Sequence, residues 1–236
     1  MNKAFEKEDK YKLYRTVREI LHPTISKKNI SNYKIIVDDN LLPLRIFYPQ
    51  KVTNMSKVII FIHGDIVLTK CKEKYAEIST NIAMNTDNLV ISIDHEELEK
   101  ISKKKYINKI YDTTKYLIEE LNKQNINDIK LLGDSTGSTT ILNFKEQLKE
   151  NNYNLKYILF YPVLSSKYIT KKLKTNKELY DDSLIIIGNK DEYFEEIKTY
   201  TNNYVEIPNM NHGFLKEQNT NIRKIYIDAI KEFIKE

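Results

Sequence analysis

The sequence predicts a single α/β domain built on a mostly parallel, doubly wound sheet, and three observations carry that prediction. Five runs are apolar without alternation: Lys57–His63 (KVIIFIH), Asn88–Asp94 (NLVISID), Asp128–Leu132 (DIKLL), Lys156–Tyr161 (KYILFY) and Ser183–Ile187 (SLIII). Continuous apolarity marks strands buried on both faces, as in a parallel sheet. Stretches of helical character at about 73–86, 102–122, 137–150 and 191–203 separate them, which supplies the crossovers a parallel sheet needs. Finally, four of the five glycines, Gly64, Gly133, Gly137 and Gly188, fall at or just after the ends of those runs. That is where an open α/β sheet binds its ligands.

The remaining elements follow in order. Tyr11, Tyr14, Val17, Ile20 and Leu21 recur at helical spacing, so a helix is predicted over 8–22, ended by Pro23. Residues 1–30 are set apart as an N-terminal helical segment, and 31–236 form the main domain. The segment YKIIVDDNLLPLRIFYP holds two β-rich runs around an Asp38-Asp39-Asn40 turn and reads as a hairpin. Pro43 within it argues for a sheet edge, since proline cannot donate to a ladder. Tyr204–Ile207 is the last strand, and an amphipathic helix covers about 220–235. The count is about eight strands, with no internal repeat and no low-complexity linker.

Composition narrows the function classes. Lys plus Arg number 38 against 33 Asp plus Glu, for a net charge of +5 spread along the chain. A nucleic-acid surface calls for a clustered patch, so none is expected. One Cys and four dispersed His exclude an internal disulfide and any Cys-based zinc site, and no metal or organic cofactor is expected. No apolar run approaches the 18 or so residues of a membrane span, and the first residues carry no apolar leader. A cytoplasmic protein of unknown oligomeric state is the expectation.

The sharpest motif is Gly133-Asp134-Ser135-Thr136-Gly137, a G-x-S-x-G. In a chain this poor in glycine it would arise by chance roughly one time in two hundred. A strand precedes it and a helical stretch follows, the context of a nucleophile elbow. Such a turn thrusts the Ser135 hydroxyl outward and sets it at a helix N-terminus, where developing negative charge is stabilised. A serine needs a base, and the base needs an orienting acid. His22 lies at the end of the first helix, His63 precedes Gly64 at a strand end, and His95 follows NLVISID. His212, in the loop between the last strand and the last helix, is best placed to reach back as the base. Asp191, a few residues past SLIII, is the candidate acid, with Glu192 and Glu195 as rivals in the same loop. The chain order is then Ser, Asp, His.

Taken together, these segments resemble the hormone-sensitive-lipase-like esterase branch of the α/β-hydrolase superfamily. Gly133–Gly137 is similar to that branch's G-D-S-A-G elbow, and His63-Gly64-Asp65 to the start of its H-G-G-G oxyanion loop. Asp191–Glu196 (DEYFEE) resembles its D-x-L-x-D-E segment, and Ile207–Phe214 its closing segment ending in H-G-F. The resemblance runs from about residue 33 to the C-terminus. It implies an α/β-hydrolase fold with helices on both faces of the sheet and an oxyanion hole made by the N–H groups of Gly64, Asp65 and Thr136. The triad would be Ser135, His212 and Asp191.

Two departures stand out. Asp65 and Ile66 replace family glycines, and the family's Y-R-L-A-P-E segment is here His95–Lys100 (HEELEK). The connection from KYILFY to SLIII is also short where the family places much of its cap, which implies a minimal cap formed mainly by residues 1–30. The function implied is a serine carboxylesterase acting on short-chain, acetyl-type esters without a cofactor. The competing expectation is an inactive α/β-hydrolase fold that binds a small ligand, motivated by Asp65 and the altered segment after His95.

Overall fold

The apolar runs become the strands of one sheet, and their residues are buried on both faces, Val58 to Ile62 completely. The structure is a computed structural model that describes residues 12–22, 34–50, 55–64, 72–95, 102–165, 176–217 and 219–235. Among the described residues nine strands run in chain order: β1 (Lys12–Tyr14), β2 (Lys34–Ile36), β3 (Leu44–Phe47), β4 (Lys57–Ile62), β5 (Leu89–Ile93), β6 (Asp128–Asp134), β7 (Lys156–Phe160), β8 (Ser183–Gly188) and β9 (Tyr204–Ile207). Their spatial order is β1-β2-β3-β5-β4-β6-β7-β8-β9. Only β3 runs against its neighbours; every other pairing is parallel. The centre is the longest ladder, where β4 meets β6 from Lys57↔Asp128 to Ile62↔Gly133.

The main helices are α1 (Val17–Leu21), α2 (Lys72–Thr86), α3 (Lys103–Lys123), α4 (Thr136–Glu150), α5 (Phe194–Ile197) and α6 (Thr220–Phe233). They bury the sheet through apolar stripes such as Tyr106, Ile110, Leu117 and Leu121 on α3, and Ile222, Tyr226, Ile227 and Ile230 on α6. Among the described residues no helix is long and apolar enough to cross a membrane.

Three expectations are corrected. The helix predicted over 8–22 is a strand at 12–14 followed by α1 at 17–21. The reason is a capping box: Thr16 accepts from the Glu19 N–H while Glu19 accepts from the Thr16 N–H, so the helix starts there. Residues 12–14 are left to pair with β2. The N-terminal segment 1–30 is described only over residues 12–22. Second, β3 lies inside the sheet, between β2 and β5, and not at its edge. Pro43 sits just before the strand, where its carbonyl accepts from the Asp94 N–H at 2.8 Å and its missing N–H costs no ladder bond. Third, the helix predicted over 191–203 shrinks to the single turn of α5, because Asp191 opens a turn whose carboxylate accepts from the Tyr193 N–H. The hairpin of β2 and β3 stands as predicted, with Ile35 opposite Leu44.

Candidate active site

The candidate residues collect at the C-terminal ends of the parallel strands. Ser135 follows β6, Gly64 follows β4, Asp191 follows β8, and His212 lies in the loop after β9. Ser135 has φ 51° and ψ −122°, a conformation disfavoured for a non-glycine residue. The turn is held by the Ser135 N–H, which donates to the Phe160 carbonyl at 3.0 Å. It is also held by the closeness of α4 to β4. A Cβ on Gly137 would fall onto the Ile62 carbonyl oxygen, so only glycine lets the helix start this near the sheet. Thr136 opens α4, and its N–H has no acceptor within the helix.

The three predicted side chains are brought into one line. Ser135 Oγ lies 2.8 Å from His212 Nε2, and His212 Nδ1 lies 2.8 Å from Asp191 Oδ2. The Asp191 side chain is fully buried while that of His212 is about one-third exposed. Asp191 Oδ1 accepts from the Tyr193 N–H at 2.9 Å, which leaves Oδ2 to orient the imidazole. With a carboxylate at Nδ1, that nitrogen carries the proton and Nε2 is the acceptor facing the hydroxyl. The rival acids are elsewhere: Glu195 pairs with Lys198 in solvent, and Glu192 is exposed. The turns bearing Asp191 and His212 are stitched together. The Lys190 N–H donates to the Met210 carbonyl at 2.9 Å, and the Asn209 N–H to Asn189 Oδ1 at 2.8 Å. Gly188 allows that contact, since a Cβ there would strike the Met210 carbonyl.

The other histidines take different places. His22 is the exposed C-terminal cap of α1. His63 and His95 are buried and stack on each other with ring centroids 4.1 Å apart. Burial pushes the pKa of His63 down and that of His95 well down, so both rings are neutral.

Gly64 requires a correction. Its N–H, expected to face an oxyanion, donates to Asp134 Oδ1 at 2.7 Å, and so is turned into the protein. Asp65 and Ile66 lie outside the described residues, as does the segment from Glu96 to Lys100. Asp134, inside the elbow motif, is a hub that the sequence reading passed over. Its carboxylate is fully buried and also accepts from Tyr75 Oη at 3.0 Å and Tyr161 Oη at 3.3 Å. Burial raises its pKa to about 6 against the opposing pull of those hydrogen bonds. Tyr161 links this hub to His212, because its ring packs edge-on against that imidazole at 4.8 Å. The one available signal was an acidic residue next to the candidate nucleophile; nothing in the sequence marked which tyrosines would reach it.

Among the described residues no group of three or more His, Cys, Asp or Glu is arranged to hold a metal ion.

By sequence, no family model matches the chain, and no curated protein does. By structure the likenesses are extensive. An arylesterase superposes with a TM-score of 0.67 at 14% identity, covering 93% of this chain and 90% of its own. A carboxyl esterase 2 from the mycorrhizal fungus Tuber melanosporum gives 0.65 at 15% identity, covering 82% and 81%. The hyperthermophilic esterase of Pyrobaculum calidifontis gives 0.64 at 16%, covering 82% and 79%. At identities this low the likeness is one of architecture, and with the strand order and the elbow already described it establishes that the chain has the α/β-hydrolase fold, in the form these esterases carry.

Proposed function

We propose that the protein is a serine carboxylesterase. One observation carries the reading: a hydroxyl, an imidazole and a buried carboxylate joined by two 2.8 Å contacts at the mouth of the sheet. The esterase neighbours support it. Ser135 attacks the ester carbonyl while His212 Nε2 takes its proton, and Asp191 stabilises the imidazolium that forms. The tetrahedral oxyanion is held by the N–H of Thr136 together with that of Asp65; one such donor is worth about 3 kcal/mol of barrier. His212 then protonates the leaving alcohol, and water on the same base frees the acid. Short acyl groups, acetyl first, are the proposed substrates, with residues 1–30 as a small cap, because the connection from β7 to β8 is short.

Hydrolysis of p-nitrophenyl acetate and its longer homologues tests this, beside Ser135→Ala and His212→Ala. The expected result is turnover that falls with acyl length and drops by at least about 1000-fold in both variants. Wild-type turnover retained by Ser135→Ala overturns the mechanism. No turnover in the wild type and no labelling by a fluorophosphonate favour a ligand-binding protein.

A further inference from the structure

We propose that His95 is a positioning residue for this reaction: it fixes the His63 carbonyl, and with it the His63–Gly64 backbone that lies against Ser135. The proposal rests on the esterase reading of the site. His95 lies two residues past the end of β5, the strand next to β4, and is buried. Its Nε2 lies 2.8 Å from the His63 carbonyl oxygen. A carbonyl only accepts, so Nε2 carries the proton and Nδ1 is left as an acceptor. Tyr106 Oη, on α3, is 3.1 Å from that Nδ1 and donates to it. The tautomer of His95 is therefore set from both sides.

The consequence falls on two residues of backbone. The His63 carbonyl is held by His95, the Gly64 N–H by Asp134, and the Gly64 carbonyl by the Nδ1 of His63 at 2.8 Å. Three successive polar groups of the main chain each have a buried side-chain partner. The partners are also packed on one another. The His63 ring stacks on His95 at 4.1 Å and on Tyr75 at 4.5 Å, and the Tyr75 hydroxyl returns to Asp134. The clamp closes a ring from β5 through β4 and α2 to β6. It has no slack toward the nucleophile, since a Cβ on Gly64 would lie 3.0 Å from Ser135 Cβ. A small shift of this backbone is thus passed directly to the nucleophile, and misplacement by about 1 Å costs on the order of 100-fold in rate. A histidine that served only to fill the core would need neither of its two hydrogen bonds for turnover.

The test separates hydrogen bonding from packing. His95→Phe keeps the ring and the stack but loses both bonds; His95→Gln can still donate to the His63 carbonyl. Turnover and amide hydrogen exchange are measured for both against wild type. His95→Phe is expected to lose about 10- to 100-fold in kcat with KM within about 3-fold, and Gly64 amide exchange is expected to quicken at least about tenfold while that of Ile186, in β8, is unchanged. His95→Gln is expected to recover most of both. Wild-type kcat in His95→Phe, equal losses in the two variants, or an unchanged Gly64 amide each overturns the proposal. Should His95→Phe not fold, Tyr106→Phe carries the test: a loss of about 3- to 10-fold in kcat with a quickened Gly64 amide supports it, and no change overturns it. A wild type without turnover sinks the esterase reading alone, and the exchange of Gly64 in the variants still decides whether His95 sets that backbone.

Discussion

The two flanks of Ser135 are built on different principles. On one side, Asp191 and His212 stand on turns tied to each other by main-chain N–H groups, that of Lys190 bonded to a carbonyl and that of Asn209 to the Asn189 side chain, and brought close by Gly188. On the other, the backbone at His63 and Gly64 is clamped by buried side chains, His95, Asp134 and the ring of His63 itself. The first flank follows from chain direction and glycine placement, which are local properties. The second depends on which rings from β5, α2 and α3 meet in the core, a property of tertiary packing. The difference teaches that a reaction centre can inherit half its geometry from motifs and half from the core behind it.

The largest effect that sharpens this comparison is expected on the first flank. Asp191→Asn would present an amide N–H to His212 Nδ1 and favour the tautomer whose Nε2–H cannot accept from Ser135. kcat should fall by about 1000- to 10 000-fold with the fold intact, as read by steady-state hydrolysis beside circular dichroism. A fall of less than tenfold would mean that the stitched turns orient His212 without the carboxylate.

Next in size is a steric break between the flanks. Gly137→Ala sets a methyl against the Ile62 carbonyl, so α4 must retreat from β4. About 3 kcal/mol of stability should be lost, seen as a lower midpoint in thermal denaturation. An unchanged midpoint would show that α4 can shift freely, and that the elbow is not held by this contact.

The smallest effect reads the second flank through pH. Asp134 binds its proton more tightly in the folded chain, at about 6, than at its ordinary 3.8. The folded state therefore takes up a proton between those values, and its stability falls as pH rises through that window. The cost is absent below about pH 4, complete above about 6, and amounts to about 3 kcal/mol at most. His63 and His95 act in the opposite sense: their lowered pKa values favour the folded state above about 6.5, and that contribution is lost as pH falls. Asp134→Asn keeps an oxygen to accept from the Gly64 N–H and cannot titrate. The difference between the urea stability of wild type and variant from pH 4 to 7 should show the Asp134 share alone, and a flat difference would mean the carboxylate is not strained by its burial.

The legibility of the sequence follows the same division. The β-runs from KVIIFIH to SLIII could be read because strands buried on both faces are predominantly apolar, Ser92 and Lys130 being polar residues buried within them. That Ser135, His212 and Asp191 come within hydrogen-bond reach of one another could be anticipated because a glycine-bounded elbow and two strand-end loops are written in consecutive residues. Each misreading has a physical cause. The helix expected at 8–22 obeyed a 3.6 periodicity that the Thr16–Glu19 capping box cut short. Pro43 signalled a lost donor but not that the position just before a strand tolerates it. Gly64 resembled an oxyanion donor because a motif names a residue and not the direction of its N–H; Asp134 decides that direction from the neighbouring strand, far away in sequence.

One feature of the sheet bears on how such a protein would age. Strand β9 has four residues and pairs with β8 alone among the described strands, yet the loop after it carries His212. Ser135, by contrast, rises from β6, flanked by strands on both sides. Free energies of local opening are lowest at such short margins and approach the global value only in the middle of a sheet. His212 and Ser135 therefore rest on parts of unequal durability. Warming or mild denaturant would part them while the middle of the sheet stays closed, so that loss of the proposed turnover would date the fraying of one border and not the melting of the whole.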